Sequence, residues 1–485
     1  MRSRRLLFVV VLGALLVGAF AAGTASSKST SGPAAANVAP NAAVLTDSSA
    51  AWFCPGLPPA LPHGEGRVTF ANLGSVAADV VVTDLADKGS ATHVPFTVPA
   101  NTVVTKTRDQ LGGPGALTVE AFGGRIVVEE GVEGAGALET TPCATQSAPH
   151  WYFAAGTTPR GVQQWLVLDN PYASDAKVDV TLRTSSGLRK PTALQSLDVA
   201  RRSREVIPIH DNAVRQDRVA VAVDVSVGAV VAAQTIVYTS AAGPPGVAHS
   251  LGSPVTAPEW TFPGAVGHPG STAVVAIVNV GSDVAQVDVQ ATADSSKPVL
   301  NPATLTVAQD DVAWVQLGHC TAASTGSGKG AKACISVPDG VPYGLDLRSE
   351  RNVPVVAQTL THFDDAPNVV GAVTSPGGIQ PARAWAFARS VVRGERTTTL
   401  SFFNPGAEPS IVKIAFVHEG QVGHPPTVQH LTVPPGRALT ISVVGGRKPP
   451  TRDAALLIDA TQPVFVQRLI VAADEVSSSA GVVVG

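Results

Sequence analysis

The feature that most constrains this chain is a motif it uses four times. An aromatic pair opens each copy: Trp52 and Phe53, Trp151 and Phe153, Trp260 and Phe262, Trp385 and Phe387. Each copy then runs through an apolar stretch into an asparagine turn, at Asn72, Asn170, Asn279 and Asn404. Four of the six tryptophans therefore mark one recurring position. Successive copies lie about 100 to 125 residues apart, a domain-sized interval longer than the period of helical arrays or of single propeller blades. A chain of 485 residues is too long for one ordinary core, and the repeat divides it into four.

Each copy follows one script. The stretches into the asparagine turn are Val68-Thr69-Phe70-Ala71, Trp165-Leu166-Val167-Leu168, Val274-Val275-Ala276-Ile277 and Leu400-Ser401-Phe402-Phe403. An alternating stretch follows: Lys177, Asp179, Thr181 and Arg183 interleave with Val178, Val180 and Leu182, and Gln286, Asp288 and Gln290 interleave with Val287, Val289 and Ala291. A period of two with one apolar face is the pattern of a half-buried strand. Then come Phe96-Thr97-Val98, Leu197-Asp198-Val199, Leu305-Thr306-Val307 and Leu431-Thr432-Val433, each ahead of a turn. Two strands joined by a tight turn close each copy, as at Ala455 to Ala460 and Pro463 to Gln467. Seven or so short strands in about a hundred residues predict an all-β chain of four tandem immunoglobulin-like antiparallel β-sandwich units. The units span 51–148, 149–257, 258–381 and 382–485. A β-propeller-like ring is the competing arrangement, disfavoured because the repeat intervals differ by about 25 residues, which a closed ring tolerates less easily. Pro- and Gly-bearing stretches at 243–258 and 367–381 read as linkers with limited hinge motion between units.

Residues 1–26 carry an address. Arg2, Arg4 and Arg5 precede an apolar run from Leu6 to Ala22, followed by small residues. This is the layout of an export signal, with Ala19-Phe20-Ala21 as a cleavage site, and the run over 6–22 is also long enough to consider as an uncleaved membrane anchor. Residues 27–50, rich in Ser, Ala, Thr, Pro and Asn, read as a flexible linker. The chain is expected outside the cytoplasm, secreted or anchored, with membrane contact only through its N-terminal segment. A net charge of −3 offers no basic face for nucleic acid.

Candidate chemistry is sparse. In an exported chain, Cys54, Cys143, Cys320 and Cys334 are expected to form two disulfides, and pairing Cys54 with Cys143 and Cys320 with Cys334 keeps each bridge inside one unit. The loop 322–332 tempts a phosphate-loop reading, but Ala323 stands where the first glycine belongs and Gly330 follows Lys329 where Ser or Thr is needed. His418, His424 and His430 read as solvent-exposed loop residues rather than metal ligands, and no metal or cofactor is expected. His210-Asp211 and Asp364-Asp365 read as solvated turns. Glu129, Gln234, Gln358 and Gln467 place a polar group at one repeated strand position, which predicts hydrogen bonding between strands or between units. The recurring tryptophans could stack on sugars, but their presence at one point of every copy favours packing in cores or at junctions.

The residues Trp151-Tyr152-Phe153-Ala154, Asn170-Pro171, Ser203-Arg204 and Val355-Val356-Ala357-Gln358 resemble repeats of the domain-of-unknown-function family 5719, found in secreted actinobacterial proteins. The resemblance covers nearly everything after residue 50 and is strongest in the second and fourth units. The first unit departs from it with Cys54-Pro55 after its aromatic pair, and the first and third lack the arginine. The family implies an exported or membrane-anchored envelope protein and brings no catalytic residues. The expected function is a non-enzymatic extracellular scaffold or binding module with an envelope protein or glycan as partner. The alternative is carbohydrate binding or envelope-glycan processing through loops 319–342 and 418–430.

Overall fold

The computed structural model describes residues 49–485, apart from 60, 62–64, 86–90, 135–136, 267–269, 294–301, 319, 321–331, 364–368, 391–396, 444–452, 473–474 and 485. The expected export signal, nearly all of the expected linker, Asp364-Asp365 and most of the loop between Cys320 and Cys334 fall outside these residues. The described residues belong to one compact unit.

The chain is all-β, as its patterning predicts. In the first unit Ser49–Cys54, Ala116–Phe122, Ala78–Leu85 and Thr92–Val98 make one sheet, and Thr102–Thr107, Glu65–Asn72, Ile126–Gly134 and Ala137–Pro142 make the other. The tryptophan strand is thus an edge of one sheet, and the strand ending in the asparagine is central in its partner. The second and third units repeat the order, with His150–Phe153 and Glu259–Val266 as tryptophan strands and Val162–Asn170 and Ser271–Val278 as asparagine strands. Lys332–Ser336, which carries Cys334, adds in parallel beside Val312–Gly318. In the fourth unit the two closing strands expected around a turn are one strand, Ala454–Ala472. Its first half pairs with Ala382–Ser390 and Ser410–His418, and its second half with Thr397–Asn404 and Glu475–Ala480. Pro463 removes only one donor, so the chain passes from sheet to sheet without turning back.

The repeated asparagine works identically in all four copies. Its Nδ2 donates to the carbonyl four residues on, at Val76, Ser174, Asp283 or Glu408. It also donates to the carbonyl of the valine closing the later short strand, Val98, Val199, Val307 or Val433, at 3.0–3.1 Å. Its Oδ1 accepts the N–H two residues on, at Gly74, Tyr172, Gly281 or Gly406. All four side chains are fully buried. The amide therefore closes its own turn and ties that turn to a strand of the opposite sheet, satisfying backbone groups that would otherwise be stranded.

The apolar faces meet between the sheets of each unit, with Trp52, Phe70, Val80, Val119 and Val128 in the first and Trp151, Leu166, Val180, Val221 and Ala232 in the second. Burying one such indole removes roughly 200 Å² from water, worth about 5 kcal/mol gross at about 25 cal/mol per Å².

The units are not hinged beads. His150–Phe153 packs on Val356–Phe363 of the third unit, Glu259–Val266 on Thr397–Asn404 of the fourth, and Ala382–Ser390 on Ile126–Gly134 of the first. Phe53 completes the cycle against the core of the second unit. The tryptophan strands of the second, third and fourth units thus each pack on the asparagine sheet of the next, and the fourth unit returns to the first. The strands Ala137–Pro142, Gly246–Leu251, Gly371–Pro376 and Glu475–Ala480 contact one another in the same cyclic order, and opposite members also touch. All four are six residues long. The difference between repeat intervals therefore lies outside the strands that close the ring, and it does not prevent closure. Two of these strands occupy the stretches 243–258 and 367–381 that read as linkers. They are instead among the most buried parts of the chain, because their Gly, Ala and Ser residues let four backbones converge.

Candidate functional site at the junction of the first two units

The residues that recur in sequence are used up by the fold. Trp52, Trp151, Trp260 and Trp385 are at most 5% exposed. The Trp151 indole N–H donates to the carbonyl of Val230, that of Trp260 to Ala257 and Val355, and that of Trp385 to Ala382 and Val464. Their ring faces lie in cores and are closed to a ligand. Cys54 pairs with Cys143 and Cys320 with Cys334. The first bridge joins a tryptophan strand to the residue after an inner strand, and both of its cysteines are fully buried. Two disulfides in a chain with no free cysteine indicate an oxidising environment.

The repeated polar position serves the seams as well as the sheets. Glu129 accepts from Thr140 Oγ1 at 3.0 Å, from the Ala388 N–H at 3.0 Å and from Arg468 Nη1 at 3.0 Å, the last two belonging to the fourth unit. Gln358 accepts the Ala155 N–H and donates to Ser250 Oγ, both in the second unit. Gln234 donates to the Ala155 carbonyl at 2.6 Å and Gln467 donates to Ser478 Oγ at 2.7 Å, so these two act within their own units. The other candidates are dispersed. His210 Nδ1 bonds the Gln164 carbonyl, and Asp211 is solvated 3.9 Å away. His424 and His430 are exposed, and beyond His418 the Gly420 N–H docks on the Asn101 carbonyl across the seam of the fourth and first units. Among the described residues no three His, Cys, Asp or Glu side chains gather as a metal-binding group.

A cluster of which the motif reading singled out only Arg204 lies between the first and second units. Glu130, next to the repeated Glu129, is 2% exposed in its side chain and accepts the Gly56 N–H at 3.1 Å. Arg108 Nη1 lies 4.0 Å from it, and Nε2 of the fully buried His249, on the inner strand of the second unit, 3.6 Å. Arg204 donates to the Leu57 carbonyl, bracing the first unit from the second. A Cβ on Gly56 would meet Arg204 Nη1 at 2.9 Å and Arg108 Nη2 at 3.2 Å, and φ is +82° there, so only glycine fits between the two guanidiniums. A Cβ on Gly66 would meet Arg108 Cγ at 2.6 Å. Burial pushes Arg108 below its ordinary value, opposed by Glu130 and Asp84. Burial, reinforced by Glu130 and opposed by Arg204 and Arg108, pushes Asp169 well above the usual carboxylate range. The signals in the sequence were Arg204 of the repeated Ser203-Arg204 pair and the adjacent acidic residues Glu129-Glu130 in the strand Ile126–Gly134.

Above this cluster opens a cleft of about 290 Å³. Leu57, Pro58, Pro59, Leu61 and Pro114 form its apolar wall, and Glu65, Arg67, Arg108, Asp109 and Glu130 its polar one. Leu57 and Leu61 also pack on Val247, next to the inner-strand residues of the second unit. All of its lining residues belong to the first unit, at the side that meets the second, and concave sites with mixed apolar and polar lining are where small ligands commonly bind.

The model of a family of unknown function, DUF5719, matches residues 116–444, more than half of the chain. The chain belongs to DUF5719. No curated protein matches it. Three solved structures show a likeness to the DUF5719 chain. A crystal structure from Thermotoga maritima is 22% identical, covering 25% of this chain and 93% of that one, with a TM-score of 0.19. A tetra-tandem repeat from the extending region of a large adhesion protein is 12% identical over 90% of this chain and 99% of that one, with a TM-score of 0.12. An alpha-L-rhamnosidase of Streptomyces avermitilis, solved with L-rhamnose, is 9% identical over 88% and 57%, with a TM-score of 0.11. At these scores no property passes from them to the DUF5719 chain.

Proposed function

We propose that this DUF5719 protein is an exported, non-enzymatic component of the cell envelope that acts as an extracellular scaffold or binding module. The observation that carries the reading is the closed ring. Four sandwiches seal one another through buried strands, leaving turns and clefts at the outside as the places where a partner can be held. The two disulfides accord with an address outside the cytoplasm, and the Arg-led apolar segment at the start of the chain supplies the route, as cleaved signal or as anchor.

Cell fractionation with maleimide labelling tests the reading. The chain should be recovered from the envelope or the medium with its cysteines protected until reductant is added. N-terminal sequencing then separates a start near Ala22 from an intact anchor. Recovery in the cytoplasm with reactive thiols would sink the proposal. A glycan partner is the second reading, favoured by the mixed polar and apolar cleft rather than by the loops at 319–342 and 418–430, and retention on cell-wall polysaccharide separates it from a purely protein-binding role.

A further inference from the structure

We propose that the cleft between Leu57 and Glu130 is a binding site for one ring of a neutral, hydroxyl-rich ligand, a sugar. The inference deepens the binding-module reading and rests on it only for where the ligand is met.

The polar wall decides the charge of the ligand. Glu65 and Arg67 stand side by side at its mouth, 3.0 Å apart, with side chains 49% and 36% exposed. Asp109 is exposed beside them, and Arg108 and Glu130 lie beneath. A phosphate or sulfate entering here meets the carboxylates of Glu65 and Asp109, with Glu130 behind them. An ammonium meets the guanidinium of Arg67, with Arg108 behind it. Neither sign of charge is strongly favoured, since Glu65 pairs with Arg67 and Glu130 with Arg108. Adjacent carboxylate acceptors and guanidinium donors do suit groups that donate and accept at once. Vicinal hydroxyls are such groups, giving one proton to a carboxylate and accepting one from an arginine.

The apolar lining suits the rest of the ligand. Leu57, Pro59 and Pro114 add apolar surface to the polar row, a mixture that an occupant with a C–H face and a hydroxyl edge matches. A volume of about 290 Å³ holds roughly ten water-sized groups at about 30 Å³ each, the scale of one sugar ring. The polar wall is held from behind. Arg67 Nε lies 3.6 Å from Glu133, and the Arg108 backbone N–H donates to the Gly66 carbonyl. The acceptors and donors are therefore positioned before a ligand arrives, which reduces the ordering cost of binding.

Saturation-transfer NMR and titration calorimetry on the full chain, with glucose, mannose, galactose and N-acetylglucosamine as probes, test this. At least one sugar should bind saturably with a millimolar Kd, and Arg67→Ala and Asp109→Asn should each weaken it about tenfold. Both residues lie at the mouth, so an unchanged melting temperature separates lost binding from lost folding. No saturable binding of any probe up to about 50 mM overturns the proposal. So does binding that both variants leave intact, or equally tight binding of inorganic phosphate, methylammonium or N-methylacetamide. Failure here leaves the envelope address standing, and a cytoplasmic address leaves the binding result standing.

Discussion

Arg468 in the fourth unit donates to Glu129 in the first at 3.0 Å, and neither side chain is more than 1% exposed. The same guanidinium donates to the Arg389 carbonyl and to Ser479 Oγ and lies over the Phe387 ring. The contact sits where the ring closes. Around it Arg389 bridges Glu133 and Asp453, each at 2.7 Å, extending the ionic seam between the fourth unit and the first.

Breaking that pair strands a charge away from water. Arg468→Ala or Glu129→Ala alone should cost about 3–5 kcal/mol, whereas joint replacement by apolar residues of similar volume should cost far less. Denaturant unfolding of the single and double variants measures the difference. Equal costs for single and double replacements would show that the pair does not act as a unit.

The asparagine clamp makes a prediction that the four copies test against each other. Asn170→Ala removes two donated bonds and one accepted bond and leaves the carbonyls of Val199 and Ser174 without their side-chain donor. A loss of about 3 kcal/mol is expected. Asn170→Asp should also destabilise, because a carboxylate keeps the acceptor and lacks both donors. Asn404→Ala should repeat the result in the fourth unit. Melting curves that leave the Asp variant at wild-type stability would contradict this.

Glu139 on the first inner strand is fully buried. Burial drives its pKa well above the ordinary 4.5, against the pull of Arg468. The folded chain therefore holds a proton that the unfolded chain releases, so Glu139 makes stability fall as pH rises from about 4.5 towards the raised folded value. Glu139→Gln abolishes this contribution and should be more stable than wild type at neutral pH, with the two converging in acid. Unfolding free energies measured across that range check it, and parallel curves would refute it.

The two disulfides should differ in weight. Cys54 and Cys143 are 89 residues apart and Cys320 and Cys334 only 14. On loop entropy, removing the first bridge with paired Cys→Ala changes should cost about 4–5 kcal/mol and removing the second about 3 kcal/mol. The first also leaves two small voids in a fully buried core, which widens the gap. Guanidinium titrations of the two double variants give the order directly.

Much of this molecule was legible in its residues. The period-two stretches, the asparagine turns and the cysteine spacing are local, and each determined what its own segment became: a strand with one wet face, a clamped turn, a bridge within one unit. The recurrence of Trp52, Trp151, Trp260 and Trp385 also marked them as core, because a large aromatic kept at one structural point serves packing. Tertiary structure alone decided what the segments became to one another. The stretches 243–258 and 367–381 have the glycines and prolines of linkers, and only convergence with Ala137–Pro142 and Glu475–Ala480 turns small residues that look flexible into the tightest part of the ring. Glu129 and Arg468 attract only once a closed cycle brings residues 339 apart together. Arg204 belongs to a repeated motif, but its contact with Leu57, and that of His249 with Glu130, exist only because two units are pressed side by side. Local periodicity encodes which face of a strand is dry. It carries no information about which dry faces will meet, since that depends on the shape of every surface at once.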